Sequence, residues 1–320
     1  MEDVLESLQP HPNLEKLIIR GYPGVLFPNW MLSSSHATFM NFSNLVYLEL
    51  RGCRKCKQLP PTLGKLPSLE TLVIGGMAKV KFMGVEFFGI NDDGATRSSD
   101  GGVVVDTTII FPKLKVFHLS NMSNLEEWDM RIHKQDRKEF IFMPCLQYLF
   151  LLLLPKLRLF PQHLTQATTL MKLFIWDCPK LTWMQLPSPS SSSSHNLPPF
   201  LQVEELILKE DAGSFSKALV RNNHVFLPKL KLLRVRLSPY SSLPKGLGKL
   251  TSLESLDIRT CSKIKSIPEE VGELQHLTAL QELRIMRCPA LRRRCQKEIG
   301  EDWNKISHIP NIFIDDKKIK

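Results

Sequence analysis

Cys53 and Cys56 stand with two residues between them, the spacing that opens a zinc site or a dithiol redox centre. A structural zinc site needs four ligands, and no second pair stands at a suitable distance along the chain. Gly64-Lys65 and Gly248-Lys249 copy the end of a phosphate-binding loop, but each is followed by leucine where a Ser or Thr hydroxyl must reach the magnesium ion. The nine histidines form no H-E-x-x-H, and the scattered Ser, His and Asp residues make no nucleophile signature. These patterns predict no metal, no cofactor, no catalytic residue and hence no enzyme. What remains able to do chemistry is recognition by aromatic and arginine side chains. The residues singled out for it are Tyr148, Phe150, Leu152, Phe174 and Trp176, with Arg234, Arg236, Arg259 and Arg284.

The elements that must position them are read from repetition. Leu253 to Cys261 has the leucine-rich-repeat spacing L-x-x-L-x-L-x-x-C with Ile258 at the third apolar place, in which a short strand alternates apolar and polar residues before a bend. Leu14, Leu45, Leu69, Leu114, Leu146, Leu170, Val203, Leu230, Leu253 and Leu280 each begin such a unit. Each is followed by apolar residues three and five positions on. The expected fold is an α/β solenoid, a leucine-rich-repeat horseshoe with a parallel sheet on its concave face and irregular or short helical arms on its convex face. Prolines after the strands, as in Leu59-Pro60 and Ile267-Pro268, block a second long strand, and short arm helices are expected at Pro61 to Leu66 and Pro268 to Leu274. Cys53, Cys178, Cys261 and Cys288 fall at the bend, where a small buried thiol suits the turn.

A solenoid lengthens without enlarging one central core, so 320 residues are read as a single domain of about ten repeats, 1–320. Insertions are expected near 89–106, which is polar and glycine-rich, and at 187–195, PSPSSSSSH; both read as loops. Residues 292–316 read as a C-terminal cap, with Trp303, Ile306, Ile309, Ile312 and Ile314 covering the last turn. The first residues are acidic and carry no secretory pattern, and no apolar run approaches the ~20 residues a bilayer span needs. A cytoplasmic protein is expected, with the nucleus also open to it. A net charge of +10 admits acidic partners, but no nucleic-acid-binding motif accompanies Arg292-Arg293-Arg294 or Lys317-Lys318. They read as solvated surface, and no nucleic-acid partner is expected.

Strand periodicity sends residues beside each inward leucine to the opposite face. Neighbouring strands lie ~4.8 Å apart, so Tyr148, Phe150, Leu152, Phe174 and Trp176 are expected to form one apolar-aromatic patch. A basic stripe of Arg234, Arg236, Arg259 and Arg284 is expected beside it. Aromatic and arginine anchors are what protein interfaces use, so the expected partner is a protein.

The phrases HPNLEKLIIRGYPGVLFPNWM (His11 to Met31), NLVYLELRGCRKCKQLPPTLGKLPSLETLVIGGM (Asn44 to Met77), FPKLKVFHLSNMSNLEEW (Phe111 to Trp128) and LTSLESLDIRTCSKIKSIPEEV (Leu250 to Val271) resemble the leucine-rich-repeat region of plant coiled-coil nucleotide-binding (NLR) disease-resistance proteins. GEDWNKISHIPNIFID, Gly300 to Asp315, looks like that family's ending. The resemblance implies a recognition module of an intracellular immune receptor. In that role it binds a pathogen effector or a guarded host protein and restrains a nucleotide-binding switch. The switch and coiled coil of such receptors lie upstream of the repeats and are absent from this sequence. The alternatives are a general leucine-rich-repeat scaffold or ubiquitin-ligase adaptor and, less favoured, a basic nucleic-acid-binding protein.

Overall fold

The computed structural model describes residues 2–32, 42–61, 63–90, 107–128, 139–161, 163–164, 167–183, 202–221, 224–267 and 277–320. The insertion at 187–195, most of that at 89–106 and the arm at 268–274 lie outside them. Each of the ten repeats has a five-residue strand that begins two positions after its first leucine. The four in the first compact unit, which comprises residues 1–147 and 161–169, are β1 (Lys16–Arg20), β2 (Tyr47–Arg51), β3 (Thr71–Gly75) and β4 (Val116–Ser120). The second unit, residues 148–160 and 170–320, holds β5 (Tyr148–Leu152), β6 (Lys172–Trp176), β7 (Glu205–Lys209), β8 (Leu232–Arg236), β9 (Ser255–Arg259) and β10 (Glu282–Met286). Within each unit successive strands pair in parallel and in identical register, Leu48 beside Leu72 and Leu256 beside Leu283.

The register follows from the pattern. Residues at three and five after each mark point into the core, so sliding a strand by one position would turn both into solvent. Leu149, Leu151, Leu173, Ile175, Leu256 and Ile258 are fully buried, and each contributes about 1.5–3 kcal/mol relative to exposure. The bend thiols are buried as well, and Cys178 Sγ reaches the Leu151 carbonyl at 3.5 Å. Burial pushes the Cys178 thiol up to about 12, which suits an inert structural side chain. Cys53 and Cys56 are both buried, and Cys56 Sγ donates to the Gly24 carbonyl at 3.2 Å.

One residue after each of the ten strands the backbone turns left-handed. The position is glycine at Gly21, Gly52 and Gly76, and then Asn121, Leu153, Asp177, Glu210, Leu237, Thr260 and Arg287 at φ between 50° and 57°. This turn swings the chain out of the sheet while its N–H still bonds to the next strand. Leu153 N donates to Trp176 O at 2.7 Å, and Thr260 N to Met286 O at 2.8 Å.

The arms are short and irregular. Leu63–Lys65 and Leu247–Lys249 form 3₁₀ turns at equivalent places, carrying the two Gly-Lys pairs. In the first unit, parallel pairs of Phe82–Met83 with Glu127–Trp128 and Thr107–Ile110 with Glu139–Phe142 add small sheets that repeat spacing does not announce. Phe88 packs edge-on against Phe111 and Phe142, so aromatic rings fill the space of the irregular repeats.

The segment read as a cap begins within a helix, Pro289–Arg294, and includes a second helix, Trp303–Ile306. It also continues the ladder. β11 (Asn311–Ile314) pairs in parallel with β10, Ile312 beside Leu283 and Ile314 beside Ile285, and β12 (Lys317–Lys318) folds back antiparallel on it. Ile312 and Ile314 thus occupy the inward positions of one more strand in the second unit's ladder, and Ile309 the buried position that opens a repeat.

Candidate functional site

The face of the second unit's ladder opposite its core gathers the aromatic residues. Register places Phe150 beside Phe174 and Leu152 beside Trp176 on paired β5 and β6, with Tyr148 beside Lys172. The Phe150 and Phe174 rings meet edge to face, centroids 6.1 Å apart. All five predicted apolar residues are half-buried. Ile207 extends the patch beside Phe174 and is itself buried.

The basic stripe requires correction. Arg234 reaches Glu205 at 2.6 Å and lies 3.5 Å from Asp257, Arg259 holds Asp257 at 2.7 Å, and Arg284 holds Glu282 through two nitrogens at 2.8 and 2.9 Å. Lys172 takes the other oxygen of Glu205 at 3.0 Å. Three of the four predicted arginines are therefore rungs of an alternating charge ladder. Around it Arg234, Asp257, Arg259 and Arg284 line a hollow of about 250 Å³. The Arg284 guanidinium, with its two hydrogen bonds, holds the Glu282 carboxyl below the usual carboxylate range. Glu205 and Glu282 each begin their strand, in the outward row next to that of Arg234 and Arg284, and the spacing of the inward leucines does not single them out.

Two cations escape this neutralisation. Lys209 Nζ lies over the Trp176 ring, 3.6 Å from its centroid, a cation–π contact. Arg236, beside Lys209 in the register, has no carboxylate partner among the described residues. Its Nε and the Trp176 Nε1 are buried donors with no hydrogen-bond acceptor among the described residues. An unmet buried donor costs about 1–3 kcal/mol, which an acceptor on a docked molecule would return. Beyond the strand ends, the Tyr240 hydroxyl donates to the Asp211 carboxylate at 2.9 Å, and burial together with that bond pushes the phenol up to about 12.

Residues 1–77 match the family model described as R13L1/DRL21 LRRs. Over 324 aligned positions the chain is 32% identical to the putative disease resistance protein RGA4 of Solanum bulbocastanum, covering 97% of this chain. It belongs to the leucine-rich-repeat regions of plant disease-resistance proteins. Disease resistance protein RGA2 of the same species is 32% identical over 97% of the chain, and a putative disease resistance RPP13-like protein 1 of Arabidopsis thaliana is 29% identical over 90%. The chain spans 30%, 28% and 22% of these three relatives. Resistance-protein repeats are recognition modules that mediate protein interactions, and among the described residues no helix is long and apolar enough to cross a membrane.

Proposed function

We propose that this chain is the ligand-recognition module of an intracellular plant immune receptor. Its open ladder face binds a pathogen effector or a guarded host protein through the patch centred on Phe174 and Trp176. In a full-length receptor the same repeats restrain a nucleotide-binding switch. The observation that carries this reading is the meeting of half-buried aromatic rings with two unneutralised cations, Lys209 and Arg236, on an otherwise charge-balanced face. Aromatic and arginine anchors dominate the energetics of protein interfaces, and Arg236 is placed to select a carboxylate next to an apolar group on the partner.

The test is quantitative capture from leaf extract by the purified chain, by a Phe174→Ala/Trp176→Ala variant, and by an Arg54→Ala/Lys57→Ala control in the other unit. Proteins retained by the wild type and the control should fall at least about tenfold on the aromatic variant. An unchanged set of captured proteins would remove the patch as the binding site.

A further inference from the structure

The run Arg292-Arg293-Arg294 does not act as one basic strip. Within the helix Pro289–Arg294, Arg294 turns inward onto buried Asp302, its nitrogens at 2.9 and 3.1 Å from the carboxylate oxygens. Arg292 and Arg293 turn the other way. Together with Arg287, Lys297 and Lys317 they line a hollow of about 830 Å³ between the turn after β10, this helix and the β11–β12 hairpin. Three separate segments of the chain thus deliver five cations to one concavity.

Among the described residues a single carboxylate lines the hollow, and it is already engaged. Asp315 accepts the Arg287 backbone N–H at 2.7 Å through one oxygen and pairs with Arg292 at 3.1 Å through the other, fixing that guanidinium in the wall. Arg287, Arg293, Lys297 and Lys317 have no carboxylate partner among the described residues. The floor differs from the rim. Cys288, Ile314 and Ile319 present apolar atoms there, and among the described residues no aromatic side chain lines the hollow.

We propose that this hollow binds a polyphosphorylated ring compound of the inositol polyphosphate class, free or as the headgroup of a membrane lipid. Clustered phosphates match the ring of cations, with arginine suited to two-pronged phosphate contacts, and the volume fits a small ligand. The apolar floor suits the ring carbons. A nucleotide or single-stranded nucleic acid would find no aromatic surface to stack on. The site is independent of the aromatic patch on the ladder face.

Titration calorimetry of the full 320-residue chain with inositol hexakisphosphate at near-physiological salt tests it. The comparison is between the wild type, Arg292→Gln/Arg293→Gln/Lys317→Gln, and a control that loses the same charge on exposed positions of the other unit, Arg54→Gln/Lys55→Gln/Lys57→Gln. Wild type and control should bind alike, and the first variant at least about thirtyfold more weakly, since three exposed charge-assisted contacts of about threefold each multiply. Phosphatidylcholine vesicles with and without phosphatidylinositol bisphosphate distinguish the sources. Binding displaced by the free compound assigns a soluble ligand, and binding that resists displacement assigns the headgroup in its bilayer. No binding by the wild type, equal weakening of both variants, or tighter binding of an acidic peptide or oligonucleotide would overturn the proposal.

Discussion

Thr260 carries the backbone strain of the ladder turn in its least tolerant form. Its φ of 55° lies in the left-handed region, where a β-branched side chain crowds the backbone at a cost of about 1–2 kcal/mol. The side chain is exposed, so nothing packed is lost by removing it. Thr260→Gly is therefore expected to raise the urea midpoint, by about 0.5–1 kcal/mol after the extra flexibility of glycine in the unfolded chain is subtracted. The reverse change at Gly76, φ 66°, meets a second obstacle, because a Cβ there would sit 3.1 Å from the Gly52 nitrogen. Gly76→Ala should lose more than 1 kcal/mol. If neither variant moves the midpoint, the left-handed turns are relaxed by neighbouring structure and store no strain. The buried Asp302 is the second residue whose geometry decides its cost. It accepts from Arg294, from Lys305 at 2.8 Å and from the Ile267 N–H at 3.0 Å. Asp302→Ala would strand two part-buried cations and is expected to cost about 3 kcal/mol in the same measurement.

The ladder strands test the repeat rule at the scale of the element. Ile312 on β11 is fully buried beside Leu283 and stands three positions after Ile309, as Leu283 does after Leu280. Ile312→Ala should therefore destabilise the second unit by about 2–5 kcal/mol, like truncation of Leu256 in the middle of the ladder. Hydrogen exchange on β10 amides would register it, and an effect confined to the hairpin would show β11 to be only a cover. The ten strands were legible because one offset recurs with apolar residues at fixed places, and within each unit no alternative register keeps them buried. The strand at Asn311–Ile314 carries the same offset, but its helical and polar approach disguised it as a cap. The placement of Phe150, Phe174 and Trp176 on one face was legible from alternation alone. The pairing of Arg234, Arg259 and Arg284 was not, because neutralisation depends on the acids one row over and on the adjacent strand. The hollow around Arg287, Arg293 and Lys317 was hidden for a related reason. A charge run shows its count in the sequence, while the helical phase decides that Arg294 turns inward and its neighbours outward.

Buried carboxylates link the whole molecule's stability to acid. In the first unit the Arg20 guanidinium, 2.7 Å away, and the Tyr47 hydroxyl, 2.8 Å away, hold the Glu49 carboxyl below its usual range against the opposing effect of burial. In the second unit burial pushes Asp302 up, but the hydrogen bonds from Arg294, Lys305 and the Ile267 N–H outweigh it and leave the carboxyl lowered. A carboxylate lowered on folding stabilises fully above its unfolded value, about 3.9 for Asp and 4.3 for Glu, and that contribution disappears as pH falls through the folded value. Asp177 has the opposite sign. Burial, then Glu210 and Asp211, push it up, so it opposes folding at neutral pH and ceases to do so once protonated. Glu49 and Asp302 are the more deeply buried and outweigh it. The thermal midpoint is therefore expected to be level above about pH 5 and to fall steadily below about pH 4.5. Glu49→Gln combined with Asp302→Asn should unfold at a lower temperature at neutral pH, and its curve should approach that of the wild type as the solution is acidified. Curves that remain parallel down to the acid limb would assign the acid sensitivity to other groups.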